Sequence, residues 1–102
     1  MTDKETTIRA LKNAVRKFRA DRQWAKYHTA KNLSMSIAIE AGELMEHFQW
    51  VNKDGPITPE IQDELADIAI YVLSFCEIYS IDLASAIESK MQANAEKYPV
   101  QE

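Results

Sequence analysis

The residues whose types and spacing could do chemistry are two acid pairs, Glu40-Ala-Gly-Glu43 and Glu64-Leu-Ala-Asp67. Residues three apart on a helix share a face, about one turn from each other. Each pair therefore sets two carboxylates side by side. If the two helices are neighbours, all four acids point into one space. Ionised carboxylates held close repel one another, and burying them uncompensated is costly. A divalent cation relieves that repulsion, and hard oxygen ligands suit Mg²⁺ or Mn²⁺. Zinc fits less well, because the chain has two histidines and one cysteine, widely separated. A di-iron centre needs a Glu-x-x-His pair on each of two helices. Glu43 and His47 are four apart, and the second acid pair has no histidine near it. His47 reads as a hydrogen-bonding residue on the helix face.

Two further groups could touch a ligand. Trp24, Tyr27 and His28 crowd one short stretch, as either a cap over the core or a platform for a planar molecule. Lys90, Asn94 and Lys97 fall at intervals of four and three, so they share a helix face. Such a strip suits phosphate oxygens, although a solvated face would look the same.

The elements that must position these groups are helices. The first is expected from about Asp3 to Asp21, with Ile8, Leu11, Val15 and Phe18 on its apolar face. Residues 22–31 break the pattern and read as a loop. Thr29 caps a second helix spanning Ala30 to Val51, with a core stripe of Ile37, Ala41, Leu44, Phe48 and Val51. Its other stripe, Ser36, Glu40, Glu43, His47 and Trp50, is expected to face a cleft or a partner. Asp54-Gly55-Pro56 supplies turn chemistry. Thr58-Pro59-Glu60 then opens a third helix, by cap, proline at the first helical position and an acid at the positive end of the dipole. Ile61, Leu65, Ile68, Val72 and Phe75 form its expected buried seam, and it should end near Tyr79. Ser80 or Asp82 caps a fourth helix that ends before Pro99, with Leu83, Ile87 and Met91 as its core stripe. Four helices on short connections predict an all-α fold, a four-helix bundle.

The chain has 102 residues, enough for a single domain with a modest core. An all-helical chain this short often completes its burial by self-association. A net charge of −4 argues against a nucleic-acid polymer as partner. It leaves room for a small phosphorylated ligand, since a bound metal reverses the local field. One cysteine, Cys76, excludes an internal disulfide. No basic-then-apolar leader and no bilayer-length apolar run stand in the sequence, so no membrane partner and a cytoplasmic location are expected.

The run from Trp24 to Trp50, WAKYHTAKNLSMSIAIEAGELMEHFQW, resembles the MazG-like nucleoside triphosphate pyrophosphohydrolases, and within them the small dCTP pyrophosphatase branch. The family's ExxE then ExxD signature stands here as Glu40/Glu43 and Glu64/Asp67. Also similar are His-x-x-Lys-Asn-Leu at 28–33, Phe48-Gln49-Trp50 and Lys97-Tyr98-Pro99. The resemblance implies Mg²⁺-dependent hydrolysis of a (deoxy)nucleoside triphosphate to monophosphate and pyrophosphate, as nucleotide-pool house-cleaning. It implies Glu40, Glu43, Glu64 and Asp67 as metal ligands. Lys90, Asn94 and Lys97 would hold phosphate or sugar. Trp24 and Trp50 would flank the base, with His28, Lys31 and Tyr71 nearby. It also implies a homodimer or a dimer-of-dimers tetramer. Val15 stands where some dCTP-specific animal relatives place a histidine near the base. The competing expectations are a related pyrophosphohydrolase with another base preference (dUTP or phosphoribosyl-ATP) and a helical interaction module that performs no chemistry.

Overall fold

The computed structural model describes residues 1–101, and among them the regular structure is entirely helical. α1 spans Ile8–Asp21, α2 Ala30–Glu46, α3 Pro59–Ile78 and α4 Leu83–Lys97, with a short 3₁₀ turn at Trp24–Tyr27. Each α-helix starts where a side-chain oxygen takes over an unpaired backbone N–H. Thr7 accepts from Ala10, Thr29 from Asn32, Thr58 from Ile61 and Asp82 from Ser85. Thr29, Thr58 and Asp82 are thus the caps expected from the sequence. α1 begins at Ile8 rather than Asp3, because the cap is Thr7 and residues 3–5 form a turn.

α2 ends at Glu46, five residues before the expected Val51. His47 to Trp50 leave the helix as turns, and the chain folds back toward Phe48. A Cβ built on Gly55 would lie 3.6 Å from the Phe48 ring, so this return is close-packed. Residues 22–31, expected as a loop, contain the 3₁₀ turn. Gln23 enters it with a left-handed φ of 55°, and the Asn32 side chain donates to the Tyr27 carbonyl at 2.9 Å.

α3 is the central helix, packed against α2 on one side and α1 on the other. Its buried residues are Ile61, Leu73, Ser74 and Cys76, joined by Leu33 of α2. Leu65, expected in the seam, is half exposed. On α2 the expected core residues Ile37 and Leu44 are half-buried together with Glu40, beside the buried Leu33, while Ala41 of the same stripe is exposed and Met35, Ile39 and Met45 point outward.

α4 does not close a bundle with the others. Ser80 takes the left-handed conformation usual for glycine past a helix end, with φ 56°, and the Ile81 amide reaches back to the Cys76 carbonyl at 2.8 Å. α4 leaves this corner bent 105° from α3. Only Leu83 of its expected core stripe is half-buried; Ile87 and Met91 are exposed. The radius of gyration is 16.2 Å, against about 13 Å for a compact chain of this length. No single helix among the described residues is long and apolar enough to cross a membrane.

Candidate functional site

The α2–α3 pairing brings Glu40, Glu43 and Glu64 together: one carboxylate oxygen from each lies within 4.8 Å of the others. Glu40 and Glu64 are half-buried, and Oε2 of each is buried without any hydrogen-bond partner. The Glu40 carboxyl is pushed up to about 7 from 4.5. Burial is the main cause; hydrogen bonding to Glu43 and its charge, then the charges of Asp67 and Glu64, add to it. Asp67 lies one turn further along α3. Its charge reaches Glu40, but its shorter side chain does not place an oxygen within the three-carboxylate group. His47, at the end of α2, approaches Glu64 Oε1 with Nε2 at 3.6 Å. Glu43, Glu46, His47 and Glu64 line a cavity of about 300 Å³ here.

A second cavity, of about 630 Å³, opens between α1, the 3₁₀ turn and α3. Its walls are apolar and aromatic: Leu11, Val15, Phe18, Trp24 and Tyr71 among them. The rings follow one another in a chain, edge to face at its two ends and tilted in the middle. Phe18 and Trp24 are 5.5 Å apart, Trp24 and His28 6.0 Å, His28 and Tyr71 6.5 Å. Volume and lining fit a small planar ligand. Asp67 lines this cavity too, and so links it to the acid cluster.

Trp24, His28 and Tyr71 thus line one cavity. Trp50 is not: it is 88% exposed in the turn after α2 and does not line the cavity, so no tryptophan sandwich forms within one chain. Lys31 is exposed on the first turn of α2. Lys90, Asn94 and Lys97 are exposed on the projecting α4 and line neither cavity. Sequence reasoning missed Arg19. It is 8% exposed, lines the aromatic cavity and is paired with Glu77. The signal was present: Leu11, Val15 and Arg19 continue one i, i+4 row, so the charge occupies a core register.

The model of the MazG-like family matches residues 35–102. The chain belongs to the MazG-like family. The MazG-like chain is 33% identical over 105 residues to dCTP pyrophosphatase 1 of Mus musculus, covering 94% of this chain and 61% of that one. It is 34% identical over 104 residues to dCTP pyrophosphatase 1 of Homo sapiens, covering 93% and 61%. It thus spans 61% of the length of these curated relatives. Among solved structures, a pyrophosphatase from Archaeoglobus fulgidus superposes with a TM-score of 0.86 at 36% identity, covering 98% of this chain and 99% of that one.

The donor set of the MazG-like site fits a hard divalent cation. It is all oxygen, anionic and convergent, and two of its buried oxygens lack any other partner. The raised Glu40 value gives a test. A cation takes the ionised carboxylate, so below pH 7 it must displace a proton. Mg²⁺ or Mn²⁺ affinity is expected to rise about tenfold per pH unit up to pH 7 and then level off, read by calorimetric titration. The stability sign is opposite. A value raised on folding favours the fold below pH 4.5 and loses that contribution as pH rises through 7. Without cation the melting temperature should therefore fall between pH 5 and 8, and added cation should remove the fall. A pH-independent affinity would contradict this.

Proposed function

We propose that this MazG-like chain hydrolyses a (deoxy)nucleoside triphosphate to the monophosphate and pyrophosphate, with dCTP or a modified dCTP as the preferred substrate. The observation that carries the reading is the joining of two sites by Asp67. A convergent carboxylate cluster stands on one side of it and an aromatic cavity of about 630 Å³ on the other. The first suits a cation-bound triphosphate, the second a planar base. The names of the mammalian and archaeal relatives support the reaction class.

Glu40, Glu43 and Glu64, with Asp67 as a fourth ligand, would hold Mg²⁺. The ion would neutralise the triphosphate and lower the pKa of bound water. The chain's own residues bind and orient. Trp24, Phe18, His28 and Tyr71 wall the base, and base–aromatic stacking is worth about 1–3 kcal/mol. That places the α-phosphorus toward the acids. Water attacks it, a P–O bond forms, the bond to the bridging oxygen breaks and pyrophosphate leaves. A carboxylate of the cluster takes the water proton.

We also propose that the working unit is a homo-oligomer, a dimer or a tetramer of paired dimers. The extended chain leaves Met35, Ile39, Met45, Ile87 and Met91 exposed, and α4 without extensive packing on another helix among the described residues. A second copy would cover these faces and bring Lys90, Asn94 and Lys97 to phosphate and Trp50 to the base. Light scattering should give a mass at least twice 11.7 kDa at micromolar concentration. A monodisperse monomer would leave the site without its lysines.

The deciding assay is pyrophosphate release from canonical and 5-modified deoxynucleoside and nucleoside triphosphates, with Mg²⁺ and with chelator. Release from at least one substrate, lost on chelation, is expected. No release from any would favour a helical interaction module.

A further inference from the structure

The cavity that would receive the base contains a cation the chain does not fully use. Arg19 is buried from α1, with its side chain only 10% exposed. One terminal nitrogen, Nη2, donates to Glu77 of α3. Nε and Nη1 are buried and have no partner. A guanidinium has only donors to offer, and buried donors without acceptors are costly. Little else at this wall competes for them. The Ser74 hydroxyl donates to the Ile70 carbonyl at 2.8 Å. His28 Nδ1 is likewise buried and unpartnered. Burial, then the positive charge of Arg19, holds the His28 imidazole below its ordinary range, so at neutral pH it is uncharged and can accept at one nitrogen.

We propose that Arg19 is a specificity-determining residue that reads the acceptor edge of a cytosine-type base. This rests on the nucleotide reading above. Among the described residues no acceptor is hydrogen-bonded to Arg19 Nε or Nη1, so a ligand in the cavity could supply them. Cytosine presents two adjacent acceptors, O2 and N3, and beside them an amino group that donates. His28, which lines the same cavity with an unpartnered Nδ1, can accept from that amino group. Uracil has nearly the same shape, but a ring N–H replaces the N3 acceptor and would face the guanidinium donor to donor. Glu77 fixes the guanidinium from behind, so the donors are set before the ligand arrives. A site whose buried polar groups are left unpaired by the wrong ligand discriminates more strongly than an apolar one.

Binding of dCMP and dUMP, followed by calorimetric titration with the unsubstituted chain as parent, tests this without requiring turnover. This parent should bind dCMP at least about tenfold tighter than dUMP. Arg19→Ala/Glu77→Ala removes both charges together and should bring the ratio close to one. Arg19→Lys keeps the ion pair but loses the planar fork; it should lower the ratio several-fold at an unchanged melting temperature, covering the case in which the double variant does not fold. An unchanged ratio in either folded variant would overturn the role of Arg19, as would a parent that binds both nucleotides equally. A parent that binds neither would overturn the nucleotide reading itself, and this inference with it.

Discussion

Glu64→Gln is expected to lower pyrophosphate release by about 10³-fold or more, while the melting temperature of the metal-free protein stays level or rises. Glu64 is the α3 member of the three-carboxylate group and also faces His47 at 3.6 Å. The substitution keeps the side chain's shape and removes its charge. Loss of one anionic ligand removes several kcal/mol of cation-dependent charge stabilisation, and 1.36 kcal/mol is a tenfold rate change. The stability effect has the other sign because Glu40, Glu43 and Glu64 repel one another without a cation. A residue kept for packing would do the reverse, losing stability with little effect on rate. Steady-state kinetics beside thermal melts separates the cases. Wild-type turnover in this variant would remove the acid cluster from the mechanism.

Glu77→Ala should be the most destabilising single change at an ionisable residue, at about 3–5 kcal/mol. It leaves Arg19 of α1 buried without its counter-charge at the α1–α3 contact. A domain of this size holds only about 5–15 kcal/mol in total, so a melting-temperature drop of more than about 10 °C is expected. Arg19→Met/Glu77→Leu, which replaces the pair by apolar groups, should regain most of that loss. Equal destabilisation in the single and double variants would mean that shape, not charge pairing, holds this contact.

The helix starts were legible because caps act locally. Thr29, Thr58 and Asp82 each satisfy an amide three residues on, whatever lies elsewhere in the fold. The end of α2 was not, because it is set by the return of the chain against Phe48, a contact between residues separated by a turn. The inward face of α2 was legible in part, since Ile37 and Leu44 of its expected core stripe turn inward. Periodicity sets Glu40 apart from that stripe, yet in the fold Glu40 is half-buried and Ile39 stands outside. That burial is intelligible if function requires a convergent acid group. The acid pairs themselves were readable from spacing, though Asp67 stands beside the group rather than within it. Trp24 and His28, at the 3₁₀ turn, meet Tyr71 of α3 across the fold, which spacing alone does not determine. Arg19 went unread because a single cation near the end of an amphipathic helix looks solvated until its partner on α3 is known.

Diffraction from crystals soaked in Mn²⁺, recorded where the ion scatters anomalously, addresses the central claim most directly. An anomalous peak bonded to oxygens of Glu40, Glu43 and Glu64 is the predicted result, with Asp67 drawn in as a fourth ligand. Manganese bound only elsewhere, or the three carboxylates turned apart with no ion between them, would contradict it.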